Sequence, residues 1–353
     1  MRQPPRATGI GSLPGTDIGA AHRLIFDELP DLPFLPELPA RGVGADLTGR
    51  GTTLLVDLYA EVQPSGWRLA DRPGRDARRA ASFLRQDLDF LEENAQEFTQ
   101  TLKIQAVGPW TLASTLELRH GDRMLSDLGA VRELAESLTE GLRLHLADVR
   151  RRAPRAAAIM LQLDEPALPG VLKGTVPTAS GFGRLRAVDT AVARETLAKL
   201  IKALRGSEAG EAEPTRGDAD PTPRTSIAIH CCAPDIPIDL LREAGADHIS
   251  LDANASAIDV ESPRDEQLGV AVEAGVGLLL GVVPALEPAH VPGVNQLLDK
   301  VLSLSRLGFS PRQLAEATTI TPACGLAGAT PPWARQALVL AHRTADALAD
   351  KAS

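Results

Sequence analysis

Short apolar runs of strand length alternate with longer segments of helical periodicity along this chain. The runs cover residues 7–10, a weak stretch near 33–35, and residues 104–107, 157–163, 226–229, 248–251, 276–283 and 318–320. Segments 76–98 and 134–149, which lie between these runs, place their apolar residues on one side of a helix, and a last helix is predicted over 332–349. Strands that alternate with helices form parallel sheets, whose doubly buried strands are apolar throughout. Eight such repeats predict an α/β fold with a single (β/α)8 TIM barrel.

One segment interrupts this alternation. Residues 205–224 are rich in Gly, Pro, Asp and Glu and contain no Val, Leu, Ile or aromatic residue. Such a stretch cannot bury enough apolar surface to offset the entropy lost on ordering. We therefore predict one barrel domain over residues 1–353, with a disordered surface loop at 205–224.

Charge and cysteine content narrow the class of protein. The formal net charge of −9 argues against nucleic acid or an anionic membrane as partner, because both require a basic face. The amino-terminal residues lack the apolar core of a secretory signal, and the apolar run 274–286 is shorter than the ~20 residues that span a bilayer. Three cysteines, of which two are adjacent, form a poor disulfide framework. A cytoplasmic location is therefore expected.

Three apolar runs are followed by side chains that can bind a metal. His230-Cys231-Cys232 follow one run, Asp252 follows the next, and Cys324 follows the last. Residues just beyond the carboxyl ends of barrel strands gather at one mouth. Thiolates, an imidazole and a carboxylate suit Zn²⁺. In an extended H-x-C segment, His230 and Cys232 point to one side and Cys231 to the other. The pattern predicts a zinc site of His230, Cys232 and Cys324, with Asp252 as a weaker fourth ligand.

Two other interpretations of the cysteines remain open on this pattern alone. Buried cysteines commonly act as small hydrophobic residues. Cys231 and Cys232 could also form a vicinal redox pair, although a disulfide between neighbouring residues is strained.

Four ordered motifs resemble the catalytic barrel of the cobalamin-independent methionine synthase family, in its short "core" form. They are Ile10-Gly11-Ser12-Leu13-Pro14, the segment QLDEPAL at 162–168, His230-Cys231-Cys232 and Pro322-Ala323-Cys324-Gly325-Leu326. A weaker fifth segment, GPWT, lies at 108–111. The motifs extend from residue 10 to residue 326, so the resemblance spans most of the chain.

The resemblance implies a metal centre with defined ligands. His230, Cys232 and Cys324 match the zinc ligands of the family. The remaining family ligand is a Glu, and the aligned residue here is Asp252, whose side chain is one methylene shorter.

The resemblance also implies an acceptor and a reaction. Asp164 matches the acid that binds the ammonium group of homocysteine, and Ser12 matches a contact in the amino-acid pocket. Holding the substrate makes Asp164 both a substrate-binding and a catalytic residue. The expected activity is that of a methyltransferase in methionine biosynthesis, in which a Zn²⁺-activated homocysteine thiolate accepts a methyl group.

Three departures from the family concern the methyl donor. The matching motifs begin at residue 10, so the additional amino-terminal barrel of the full-length enzymes is not expected. Thr115 stands where the family has a Trp that stacks on folate, and Leu286 stands where it has a His that can protonate the folate leaving group. We therefore expect methylcobalamin, free or on a corrinoid protein, rather than methyltetrahydrofolate.

Two alternatives to this function remain open. A related barrel could transfer a methyl or alkyl group to another thiol such as coenzyme M, although Asp164 argues against an acceptor that has no ammonium group. A non-catalytic zinc-binding barrel would keep the ligands for structure alone. The related barrel of uroporphyrinogen decarboxylase needs no zinc, so the His-Cys-Cys triplet argues against that activity.

Overall fold

The computed structural model describes residues 6–206, 224–254 and 263–352. Most of the predicted loop at 205–224 lies outside the described residues, so its predicted disorder stays a prediction. At its two ends, residues 205 and 206 complete a helix and residue 224 begins a strand.

In these three stretches the chain forms nine strands. They are β1 (Arg6–Ala7), β2 (Tyr59–Gln63), β3 (Gly66–Ala70), β4 (Thr101–Val107), β5 (Ala158–Asp164), β6 (Arg224–Cys231), β7 (His248–Asp252), β8 (Gly277–Val283) and β9 (Thr318–Pro322). Seven of them form one sheet in the order β1-β9-β8-β7-β6-β5-β4, and every neighbouring pair is parallel. Strands β2 and β3 form a separate antiparallel hairpin. The predicted parallel α/β sheet is thereby confirmed.

Helices connect the strands and pack around the sheet. They are α1 (Ile18–Glu28), α2 (Leu47–Thr53), α3 (Arg75–Ala95), α4 (Pro109–Thr115), α5 (Leu128–Arg152), α6 (Leu168–Lys173), α7 (Thr190–Gly206), α8 (Ile238–Glu243), α9 (Pro263–Glu273), α10 (Val294–Leu302), α11 (Pro311–Ala317) and α12 (Pro331–Ala352). The helices predicted over 76–98, 134–149 and 332–349 correspond to α3, α5 and α12. Within the described ranges, none of these helices has a long enough apolar stretch to cross a bilayer.

The weak run near residues 33–35 bridges the two edges of the sheet without forming a strand. The amide of Lys103 in β4 donates to the carbonyl of Pro33 at 2.8 Å, and the amide of Leu35 donates to the carbonyl of Lys103 at 2.9 Å. On the other side, the amide of Glu37 donates to the carbonyl of Gly11, just after β1, at 3.0 Å. Proline has no amide hydrogen, and Pro33 and Pro36 interrupt the ladder on both sides of Leu35. The eighth strand expected of a (β/α)8 barrel is therefore replaced here by isolated bridges.

Apolar side chains fill one layer of the space that the sheet encloses. Leu32, Met160, Ala228 and Leu279 form a buried cluster, each with at most 1% of its surface exposed. On β5, Gln162 and Asp164 follow Met160 at the alternate positions that share its face. The interior thus changes from apolar to polar toward the carboxyl ends of the strands.

Candidate metal centre

Three predicted ligands meet at the carboxyl ends of β6 and β9. The donor atoms of His230, Cys232 and Cys324 all lie within 4.8 Å of one another. His230 belongs to the last residues of β6, Cys232 directly follows that strand, and Cys324 lies two residues beyond β9. Because the sheet is parallel, these strand ends lie at one edge, which is why residues 92 positions apart in sequence become neighbours.

The imidazole of His230 has one nitrogen in use and one available. Its Nδ1 lies 2.9 Å from the Oγ of Ser250, which is fully buried on the neighbouring strand β7. Its Nε2 is buried and makes no hydrogen bond with any described residue. A buried polar atom without a partner is costly, and coordination by Nε2 would remove that cost. A ligating histidine typically uses its other nitrogen in a hydrogen bond, as Nδ1 does here.

The two thiols of the group lose a first proton readily and a second one only with difficulty. The Sγ atoms of Cys232 and Cys324 lie 3.3 Å apart. The hydrogen bond between them, helped by the nearby His230, lowers the pKa of Cys324 to about 4, and the same contact raises the pKa of Cys232. The first negative charge is therefore stable, whereas a second requires a cation at this position. This donor set of one nitrogen and two sulfurs suits Zn²⁺.

Cys231 takes no part in the group. Its side chain is fully buried in the main hydrophobic core, and burial raises the pKa of its thiol to about 12. The alternation predicted for the H-x-C segment is thus observed, and all three cysteines are free thiols. The vicinal Cys231–Cys232 disulfide is not formed.

Asp252 does not join the three ligands in this structure. It ends β7, but its Oδ1 accepts a hydrogen bond from the amide of Asn254 at 2.7 Å. Its short side chain thus closes onto the turn that follows its own strand instead of reaching the group.

Asp164 lies beside the metal group, in the position expected from its motif. It is the last residue of β5 and is paired with His230 in the register of β5 and β6. Its Oδ1 accepts a hydrogen bond from the Nε2 of Gln162 at 2.7 Å. Burial raises the pKa of Asp164 to about 7, with the proximity of His230 acting in the opposite direction.

Ser12 packs against the loop that carries Cys324. Its carbonyl accepts a hydrogen bond from the amide of Leu326 at 2.8 Å. A Cβ atom at Gly325 would collide with the Oγ of Ser12, so a larger residue there would require this hydroxyl to rotate. The predicted ligands, Asp164 and Ser12 therefore surround one end of the sheet.

A sequence profile of the family described as "Cobalamin-independent synthase, Catalytic domain" matches residues 218–347. This range contains His230, Cys232 and Cys324. Residues 218–347 are therefore similar to this family's catalytic domain. The predicted resemblance to the family and the prediction of an enzyme of the methyltransferase class are thereby confirmed. No match was found among curated protein sequences.

A solved structure supports the same fold over the whole chain. It is described as a B12-independent methionine synthase from Shewanella sp. W3-18-1 in complex with selenomethionine. The match has a TM-score of 0.60 at 13% sequence identity, and it covers 99% of this chain and 98% of that chain. At this identity the likeness establishes the fold alone.

Two charged residues beside the candidate site were not singled out from the sequence. Glu37 ends the bridging run at 33–37, and its Oε1 accepts from the Nε2 of Gln105 and from the Nε of Arg50, both at 3.1 Å. Its charge contributes to the raised pKa of Asp164. Lys103 has no exposed surface and lies inside the sheet on β4. The sequence does mark both residues. Glu37 ends a run of strand length, and Lys103 and Gln105 are polar residues at alternate positions of an otherwise apolar run.

Glu165 joins two of the family's motifs. Its Oε1 accepts from the amide of Trp110 at 2.9 Å, and its Oε2 accepts from the amide and Oγ1 of Thr111 at 2.7 and 2.8 Å. This carboxylate therefore caps the amino terminus of α4 from another element. The QLDEPAL and GPWT segments are thus in direct contact, and the residue after Asp164 is fixed by three hydrogen bonds.

Proposed function

We propose that this protein transfers a methyl group to the thiolate of homocysteine and so forms methionine, with Zn²⁺ held by His230, Cys232 and Cys324. The observation that carries the proposal is the group itself: three sequence-distant donor atoms within 4.8 Å, of which one is a buried nitrogen without a partner. Three protein ligands are typical of a catalytic zinc site, which keeps a further position for substrate. Asp252 as an additional ligand remains a prediction, and its side chain would have to rotate away from the amide of Asn254.

The chain's own residues would bind and orient the acceptor. Zn²⁺ bound at this site would deprotonate a substrate thiol at neutral pH. Asp164 would accept hydrogen bonds from the ammonium group of the acceptor, and Ser12 would line the pocket for its amino-acid portion. Ser250 would keep the imidazole of His230 directed toward the metal through its contact with Nδ1. Because these residues stand on strand ends, they would hold the thiol in one geometry toward the methyl donor.

The family and the solved relative both agree with this acceptor. The relative's description names a methionine synthase that binds selenomethionine, which is the selenium form of the product. We also propose that residues 1–353 form one (β/α)8 barrel, in which residues 33–37 stand in for the missing strand. The free thiols suit a reducing compartment such as the cytoplasm.

We propose methylcobalamin, free or on a corrinoid protein, as the methyl donor. Thr115 has no ring to stack on folate, and its hydroxyl lies 3.1 Å from the carbonyls of both Thr111 and Leu112. Leu286, which is 61% exposed, has no proton to donate. The family's description as cobalamin-independent argues in the other direction, so the donor is tested directly.

Turnover of the zinc-loaded protein tests donor and acceptor together. We expect methionine from homocysteine with methylcobalamin, no product with methyltetrahydrofolate alone, and no methylation of coenzyme M. Methionine formed from methyltetrahydrofolate alone would overturn the proposed donor. Methylation of coenzyme M at the same rate as homocysteine would favour the alternative that the acceptor is another thiol. No product with either donor, in a protein that retains zinc, would favour a non-catalytic zinc-binding barrel.

A further inference from the structure

A buried lysine and a buried glutamine hold the same carbonyl group beside the proposed substrate pocket. The Nζ of Lys103 donates to the carbonyl of Ile10 at 2.9 Å and lies 3.4 Å from the Oε1 of Gln105. The Nε2 of Gln162 donates to the same Ile10 carbonyl at 2.8 Å and to the Oδ1 of Asp164 at 2.7 Å. None of the Lys103 or Gln162 surface is exposed. Two donors from adjacent strands thus fix one backbone carbonyl.

That carbonyl lies at the start of the segment that connects the parts of the site. The carbonyl of Gly11, the next residue, accepts a hydrogen bond from the amide of Glu37 at 3.0 Å. The carbonyl of Ser12 accepts one from the amide of Leu326 at 2.8 Å. Displacement of Ile10 would therefore move Ser12.

Lys103 also brings a buried cation to this region. It interacts electrostatically with Asp164 and Glu37, while burial lowers the pKa of its ammonium group to about 7. Glu37 is itself paired with Arg50, whose Nε lies 3.1 Å from its Oε1.

We propose that Lys103 is a positioning residue for the amino group of the substrate. It fixes Ile10 and thereby Ser12, which lines the pocket for the amino-acid portion of the acceptor. The proposal rests on the proposed function, because it needs an amino-acid acceptor at this site. It assigns Lys103 no contact with the sulfur or with the transferred methyl group.

Binding of methionine to the zinc-loaded protein tests this role. Methionine has the ammonium group but no ionisable thiol, so its affinity reports on the amino-acid pocket alone. We expect Lys103→Met to weaken binding by about tenfold to a hundredfold, the range for loss of a hydrogen bond to a charged group. Zinc content should stay at the wild-type level.

Two further variants separate positioning from a general effect on folding. Gln162→Leu keeps the charge of Lys103 and removes one hydrogen bond to Ile10 and one to Asp164, so it should also weaken binding of methionine. Met160→Leu is the matched control, because Met160 lies on the same face of β5 in the apolar layer and the change conserves volume. Its affinity for methionine should equal that of the wild type. If Lys103→Met does not fold, the Gln162→Leu comparison still decides whether the Ile10 carbonyl matters.

The possible failures are distinguishable. Wild-type affinity for methionine in Lys103→Met would overturn the inference and leave the proposed function intact. Wild-type affinity for methionine in Gln162→Leu would overturn the positioning of Ser12 through Ile10. A zinc-loaded wild type that binds neither methionine nor homocysteine would overturn the proposed function and this inference with it. In turnover, Lys103→Met should raise KM about tenfold while kcat changes little.

Discussion

Cys324→Ser is expected to lower zinc affinity and methyl transfer together, with a loss in kcat/KM on the order of a thousandfold. Serine retains the size of the side chain but not the soft, readily ionised sulfur that Zn²⁺ prefers. Cys232→Ser should have the same effect, since the two Sγ atoms lie 3.3 Å apart in one group. Metal content after dialysis against a fixed free-zinc concentration, measured beside initial rates with homocysteine, checks both variants.

Cys231→Ala is the matched control for this pair. Cys231 neighbours Cys232 in sequence, but its side chain lies in the hydrophobic core and outside the ligand group. Alanine at this position should cost some stability and leave zinc content unchanged. Loss of zinc in Cys231→Ala, or full zinc and activity in Cys324→Ser, would contradict the ligand assignment.

Asp164→Asn is expected to weaken homocysteine and methionine binding by about a hundredfold, because the ammonium group would lose an ionic hydrogen-bond partner in a buried site. Burial raises the pKa of Asp164 to about 7, and only the ionised form attracts the ammonium. The wild-type affinity for methionine should therefore increase as the pH rises through about 7, whereas the variant should show little change over that range. Calorimetric titration with methionine at several pH values measures both effects.

Asp252→Asn controls for this change of charge. The substitution is the same, and Asp252 lies at the end of the nearby strand β7 with its Oδ1 on the amide of Asn254. Methionine affinity should be retained in Asp252→Asn. A decrease in its zinc affinity would establish Asp252 as a fourth ligand. Wild-type methionine affinity in Asp164→Asn would refute the assigned role of Asp164.

The sequence predicted the convergence of the ligands because this convergence follows from two simple rules. Apolar runs mark buried parallel strands, and the residues after those runs meet at one edge of the sheet. His230, Cys232 and Cys324 each follow such a run, and alternation along an extended chain separates Cys231 from them. These rules need no knowledge of side-chain contacts.

The remaining features depend on contacts that periodicity does not encode. Two prolines prevent a regular ladder at residues 33–37, although the segment still bridges both edges of the sheet. The carboxylate of Asp252 has a competing partner two residues away, which only the turn geometry reveals. Lys103 is a lone charge in an apolar run, and its partners Ile10 and Asp164 are distant in sequence.

X-ray absorption at the zinc edge, with and without homocysteine, tests the central claim most directly. The account predicts a metal shell that contains two sulfurs and one imidazole nitrogen from the protein, and a third sulfur after homocysteine is added. The third sulfur should be absent when homoserine, which has oxygen in place of sulfur, is added instead. A shell without protein sulfur, or one that homocysteine leaves unchanged, would contradict a zinc centre that activates the acceptor thiol.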